Sequence, residues 1–144
     1  MLPDSILKLE LSCEPRVAVR VVMPSDDALT RKSKLKKQFI NKKMCILTVF
    51  YKDKQFTITA HKDYCFDGAT IPFGIGKGDT RLQIGALFHD IMCENKEVID
   101  YDCHLATDIF EKLIVMCGEP KWKASTMHFF VNRFQELFCK GWKK

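Results

Sequence analysis

The apolar pattern of this chain changes period once, near Asp79, and that change restricts the fold more than any other feature. Before it, apolar residues alternate with polar ones in LKLEL at 7–11 and RVAVRVV at 16–22, and CILTVFY at 45–51 and QFTITA at 55–60 are rich in β-branched and aromatic residues. Such segments are half-buried strands, with successive side chains on opposite faces. Lys52-Asp53-Lys54 between the last two reads as a tight polar turn, so they are expected to form a hairpin.

After Asp79 the spacing becomes helical. Asp79 or Thr80 can cap a helix through RLQIGALFHDIMCE. A second helix is expected from about Asp100 to Cys117, ended by Gly118 and Pro120. A third runs from about Lys121 to Cys139, with Phe130, Val131, Phe134, Leu137 and Phe138 on one broad stripe that serves core packing. Strands first and helices later predict an α+β fold: a small antiparallel sheet in the N-terminal half, packed by about three helices in the C-terminal half. With 144 residues the chain is expected to be a single domain spanning 1–144.

Composition limits the function classes. No apolar run approaches the roughly 18 residues of a membrane span, and MLPDSILKLE lacks the pattern of a secretory signal. An intracellular protein is the default. The seven cysteines, Cys13, Cys45, Cys65, Cys93, Cys103, Cys117 and Cys139, are odd in number and none are spaced C-x-x-C. Most of them are expected to act as small hydrophobes in a reduced compartment, with a structural disulfide or cysteine zinc site the minor alternative. The net charge is +5, and RKSKLKKQFINKK holds seven basic residues from Arg31 to Lys43. Such a run can track phosphates. Its one aromatic, Phe39, does not make a stacking platform, so a solvated loop or hairpin tip is the preferred reading and nucleic-acid binding trails.

The candidate site lies in FDGATIPFGIGKGDTRLQIGALFHD, residues 66–90. His89 sits above Gly85 and Ala86, small residues that let another element approach the imidazole. Asp90 points about 100° away from it. The two could border one cleft, with the imidazole as general base on a water and the carboxylate holding a cation. Asp67-Gly68 turns the chain, and Asp67 could join Asp90 as a ligand of a divalent cation. The G-I-G-K-G loop matches neither phosphate-binding Gly motif. His104, beside Asp102 and Asp108, is a further candidate ligand, whereas His61 is expected at the surface and His128 at the core edge.

The contiguous run Phe66, Asp67, Gly68, Ala69, Thr70, Ile71 and Pro72, followed on a helix by Ala86, Leu87, His89 and Asp90, resembles the phage and bacterial family catalogued as domain of unknown function 1353. The resemblance covers roughly residues 45 to 138 and implies a phage or prophage origin. Family members often have Tyr three residues after the Asp, where this chain has Cys93. They often carry Ala-Asp-x-x-Phe on the next helix, where this chain has Ala106, Thr107, Asp108, Ile109 and Phe110. Asp108 is therefore one position, or about 100°, away from the usual carboxylate. The commoner pattern also looks like the helix pair of phospholipase A2 enzymes, in which His activates water, the adjacent Asp holds calcium and a later Asp orients the His. That analogy assigns His89 as base and Asp90 as metal ligand, and leaves Thr107 at the orienting position.

The expectation is accordingly a phage-encoded accessory protein that acts by binding a protein, in the virion or in the cytoplasm of the infected host. The alternative is a small hydrolase of esters or phosphoesters that uses His89, Asp90 and Asp67, with a divalent cation on Asp90 and Asp67.

Overall fold

A computed structural model describes residues 7–52, 54–66, 80–95 and 103–138. Its elements run β1 (Leu7–Leu11), β2 (Val17–Val19), α1 (Ala28–Lys36), β3 (Phe39–Asn41), β4 (Cys45–Tyr51), β5 (Lys54–Ala60), β6 (Cys65–Phe66), α2 (Thr80–Glu94), α3 (Cys103–Met116) and α4 (Lys121–Phe138). The fold is α+β and every strand pairing is antiparallel. The strands divide into two three-stranded sheets, ordered β1-β4-β5 and β2-β3-β6.

The first sheet follows from the alternation. Leu7, Leu9, Cys45, Leu47, Val49, Ile58 and Ala60 point into the core. Lys8 and Glu10 pair on the outer face. The hairpin is one residue tighter than the expected three-residue turn, because Tyr51 already pairs with Lys54. Lys52 accordingly takes φ 57°, the left-handed conformation that a two-residue loop asks of its first central residue.

The second sheet was not legible as one, because β3 and β6 are only three and two residues long. It is joined to the first by Asn41, which is fully buried. Its side-chain amide donates to the carbonyls of Ala60 at 3.1 Å and His61 at 2.9 Å. Its backbone N–H and C=O bond Tyr64 and Asp63. One side chain thus holds the end of β5 beside β3.

Two expectations for residues 16–43 are corrected. The strand expected over 16–22 is regular only at Val17–Val19, since its partner β3 is equally short. The basic run is not a loop or hairpin tip: Arg31 to Lys36 lie in α1. Asp27 caps that helix by accepting from the Thr30 N–H at 2.7 Å. None of its side chains is buried. It is held to the 20–26 segment by polar contacts: Lys34 on Asp26 and on the Val21 carbonyl, both at 2.9 Å, and Arg20 on the Lys37 carbonyl at 3.1 Å.

The C-terminal helices form two layers on the first sheet. α2 touches β5, β2 and α3, α3 also reaches β1, and α4 covers α3. Every residue from Leu82 to Phe88 is buried, as a helix covered on more than one side requires. α3 ends as Gly118 and Pro120 predict. Gly118 takes φ 111°, its N–H bonds the Val115 carbonyl, and the Glu119 N–H bonds that of Ile114, the paired closure of a left-handed helix end.

Candidate functional site

Gly85 determines how closely the two central helices approach. A β-carbon there would collide with Ile114 and stand 3.0 Å from the Phe110 ring. One turn on, the His89 ring meets Phe110 edge-on, with centroids 5.9 Å apart. These contacts run in opposite directions along the two helices, so α2 and α3 are antiparallel. The small residue below His89 does admit another element, and that element is α3.

His89 and Asp90 are both half-buried and lie on α2 between the buried Phe88 and the buried Ile91 and Met92. Cys93 lies one turn beyond His89, with its Sγ 3.6 Å from the imidazole Nδ1. A thiol therefore stands beside the ring at the position where the resemblance expects a tyrosine. Glu94 shares a helix face with Asp90 and accepts a hydrogen bond from the Tyr64 hydroxyl. Phe39 of the neighbouring strand β3 and Tyr64, two residues earlier on the same segment, both stack on Phe66, the buried first residue of the FDGATIP motif. Asp67, the proposed partner of Asp90 in cation binding, lies outside the described residues, as do Asp102 and the Gly74 to Gly78 loop.

Thr107 is fully buried on α3. Asp108 faces elsewhere: its Oδ1 is 2.8 Å from His128 Nε2 on α4, so its carboxylate is engaged on another helix. Asp108 belongs to a polar seam along α3 and α4. His104 pairs with Asn132 at 3.1 Å, Asp108 with His128, and the Ser125 hydroxyl donates to Glu111 at 3.2 Å. Within this seam Asp108, Glu111 and His128 bring ligand atoms within 4.8 Å of one another. Two carboxylates and an imidazole are donors that suit a divalent transition metal. Among the described residues this is the cation-competent group, and it lies on a different face of α3 from Phe110 and His89. The signal for it is Asp-x-x-Glu on one helix, but placing His128 opposite requires the register between helices.

Glu119 was not singled out by the sequence. Its carboxylate is completely buried, 3.2 Å from Arg81 Nη2 and 3.1 Å from Lys123 Nζ. Arg81 also donates to the Gly118 carbonyl at 2.9 Å. This cluster ties the start of α2 to the α3–α4 turn, a fold-holding role.

Among the described residues no helix is long and apolar enough to cross a membrane. The chain belongs to the family described as "Protein of unknown function (DUF1353)", which matches residues 46–131. The match takes in the β4–β5 hairpin, the FDGATIP motif and His89-Asp90, and leaves β1, β2, α1 and β3 outside. No curated protein and no solved structure matches the chain.

Proposed function

We propose that this DUF1353 member is a phage-encoded accessory protein that acts by binding a protein, as a virion component or against a host factor, through α1 and the strand that carries it. The observation behind this is the surface of α1. Leu29 and Leu35 are 79% and 60% exposed, and Val19, Val21 and Met23 on the adjoining segment are exposed too. At 100° per residue, Lys32 and Lys36 fall on the same outward half of the helix as the two leucines. Apolar side chains interleaved with lysines fit a partner with an apolar centre and an acidic rim. Nucleic acid fits less well. Lys34 is committed to Asp26, and Arg31 reaches the Met23 carbonyl, so the run offers fewer free cations than its sequence suggests.

The test compares two baits, the wild type and Leu29→Asp/Leu35→Asp, against one host extract. A protein held by the first, lost by the second and then bound directly in purified form supports the reading. Identical captures would remove α1 as the binding surface. Retention of DNA or RNA at physiological salt, lost in Lys32→Glu/Lys36→Glu, would favour phosphate binding instead.

The half-buried His89 beside Cys93 and Asp90 motivates a second reading, an ester or phosphoester hydrolase with His89 as base and Asp90, with Asp67, as the ligands of a divalent cation. His89→Asn removes the base and retains one hydrogen bond. Loss of about 10²–10⁴ in an ester or phosphoester activity, at unchanged stability, would establish that reading. No loss would leave His89 as a packing residue.

A further inference from the structure

The β1–β4 register runs from Leu7↔Tyr51 to Leu11↔Leu47. Ser12 continues it, its N–H bonding the Ile46 carbonyl at 2.9 Å. Extended one step further, past the end of β1, the same register sets Cys13 opposite Cys45. Bonded and non-bonded pairs alternate in an antiparallel ladder, so Cys13 and Cys45 occupy a non-bonded pair, where opposed Cα atoms are about 4.5 Å apart. That falls within the roughly 4.4–6.8 Å that a disulfide spans. The two thiols cross each other's backbone: Cys45 Sγ is 3.4 Å from the Cys13 carbonyl, and Cys13 Sγ is 3.4 Å from the Met44 carbonyl. Cys45 belongs to the core cluster, and the partly buried Cys13 packs against it.

We propose that Cys13 and Cys45 are a disulfide-forming pair that closes the base of the α1 arm. The two residues are 32 apart in sequence, and β2, α1 and β3 all lie between them. The bond would tether the segment that carries the binding surface proposed above, on which this consequence rests.

The chemistry is exchange with a small disulfide such as oxidised glutathione. The Cys13 thiolate attacks one sulfur of the reagent and expels a thiolate. The Cys45 thiolate then attacks the Cys13 sulfur of the mixed disulfide and expels the second half. Two protein thiols are oxidised, one small disulfide is reduced to two thiols, and the two protons pass to the departing thiolates. Cys13 attacks first because it is partly exposed, whereas Cys45 is fully buried. Burial, and then the neighbouring Cys13 thiol, push the Cys45 thiol above its ordinary value. Cys117 is the competitor nearest in chemistry, but burial pushes its thiol up to about 11.

The test is digestion and mass spectrometry of the folded wild type after equilibration with mixtures of oxidised and reduced glutathione, without any binding partner. The expected result is a Cys13–Cys45 cross-linked peptide pair lacking two hydrogens, lost on reduction. It should form equally in Cys117→Ser and be absent from Cys13→Ser and Cys13→Ala. A Cys45–Cys117 link, or Cys13 accumulating as the glutathione adduct with Cys45 reduced, would overturn the proposal. Because no partner enters the assay, failure of α1 as a binding surface leaves this result readable by itself.

Discussion

α1 and α2 are helices of one chain with opposite surroundings. α1 buries none of its side chains, whereas α2 buries every residue from Leu82 to Phe88. α1 is held by a capping aspartate and a few polar contacts to residues 20–26. α2 is held by close packing against α3 and the first sheet. The family match follows the same division, starting inside β4 and so omitting α1. A helix whose outer face contributes nothing to the core can change its surface without loss of the fold, and such a face is suited to recognising a partner. A helix packed this tightly has little freedom, and His89 is confined by Phe110 and Cys93 within it.

The largest expected effect comes from breaking the tight side of this comparison. Gly85→Leu should abolish cooperative melting, because even a β-carbon collides with Ile114 and overpacked cores cannot absorb a whole side chain. Leu29→Asp/Leu35→Asp should leave the melt within about 0.5 kcal/mol of wild type, as surface substitutions do. If the two variants melt alike, the division is wrong.

Asn41→Ala tests the joint between the two regions. It removes both donors to the Ala60 and His61 carbonyls, and denaturant unfolding should show a loss of about 2–3 kcal/mol. A neutral result would mean that the two sheets are held together by other contacts.

The smallest effect is confined to the arm and depends on pH. The Asp26 carboxyl is held below the ordinary carboxylate range, first by its hydrogen bond from Lys34 and then by the Met23 N–H. A depressed value means that the contribution is fully present above the unfolded-state value and is lost as pH falls through the folded one. Acid should therefore loosen α1 before the core, seen as lower amide protection factors at α1, each taken against the intrinsic rate at the same pH, while α2 stays protected. Asp26→Asn should show the loosened exchange at neutral pH.

How much of this was legible depended on whether one segment carried its own signal. The β4–β5 hairpin did, since both strands alternate across a short turn, and α2 did through its apolar spacing. Gly118 marked the end of α3 because a left-handed cap favours glycine. α1 carried no such signal: Leu29 and Leu35 belong to no buried stripe, and its helicity rests on Asp27 and on polar contacts with the preceding residues 20–26. β3 and β6 are too short to show a period. The Asp108, Glu111 and His128 group, the Glu119 cluster and the Cys13–Cys45 pair all arise from register between segments, which a single sequence does not display. Thr107 and Cys93 were identified as departures from the family pattern, and the structure places the Cys93 thiol beside His89.

On the proposed reading, recognition belongs to α1 and His89 takes no part in it. The direct measurement is calorimetric titration of the purified captured partner into wild type, Leu29→Asp/Leu35→Asp and His89→Asn. Affinity should be at least about tenfold weaker for the α1 variant, which is about 1.4 kcal/mol, and unchanged for His89→Asn. Full affinity in the α1 variant together with loss in a folded His89→Asn would contradict that reading and move the binding site to the α2–α3 pair.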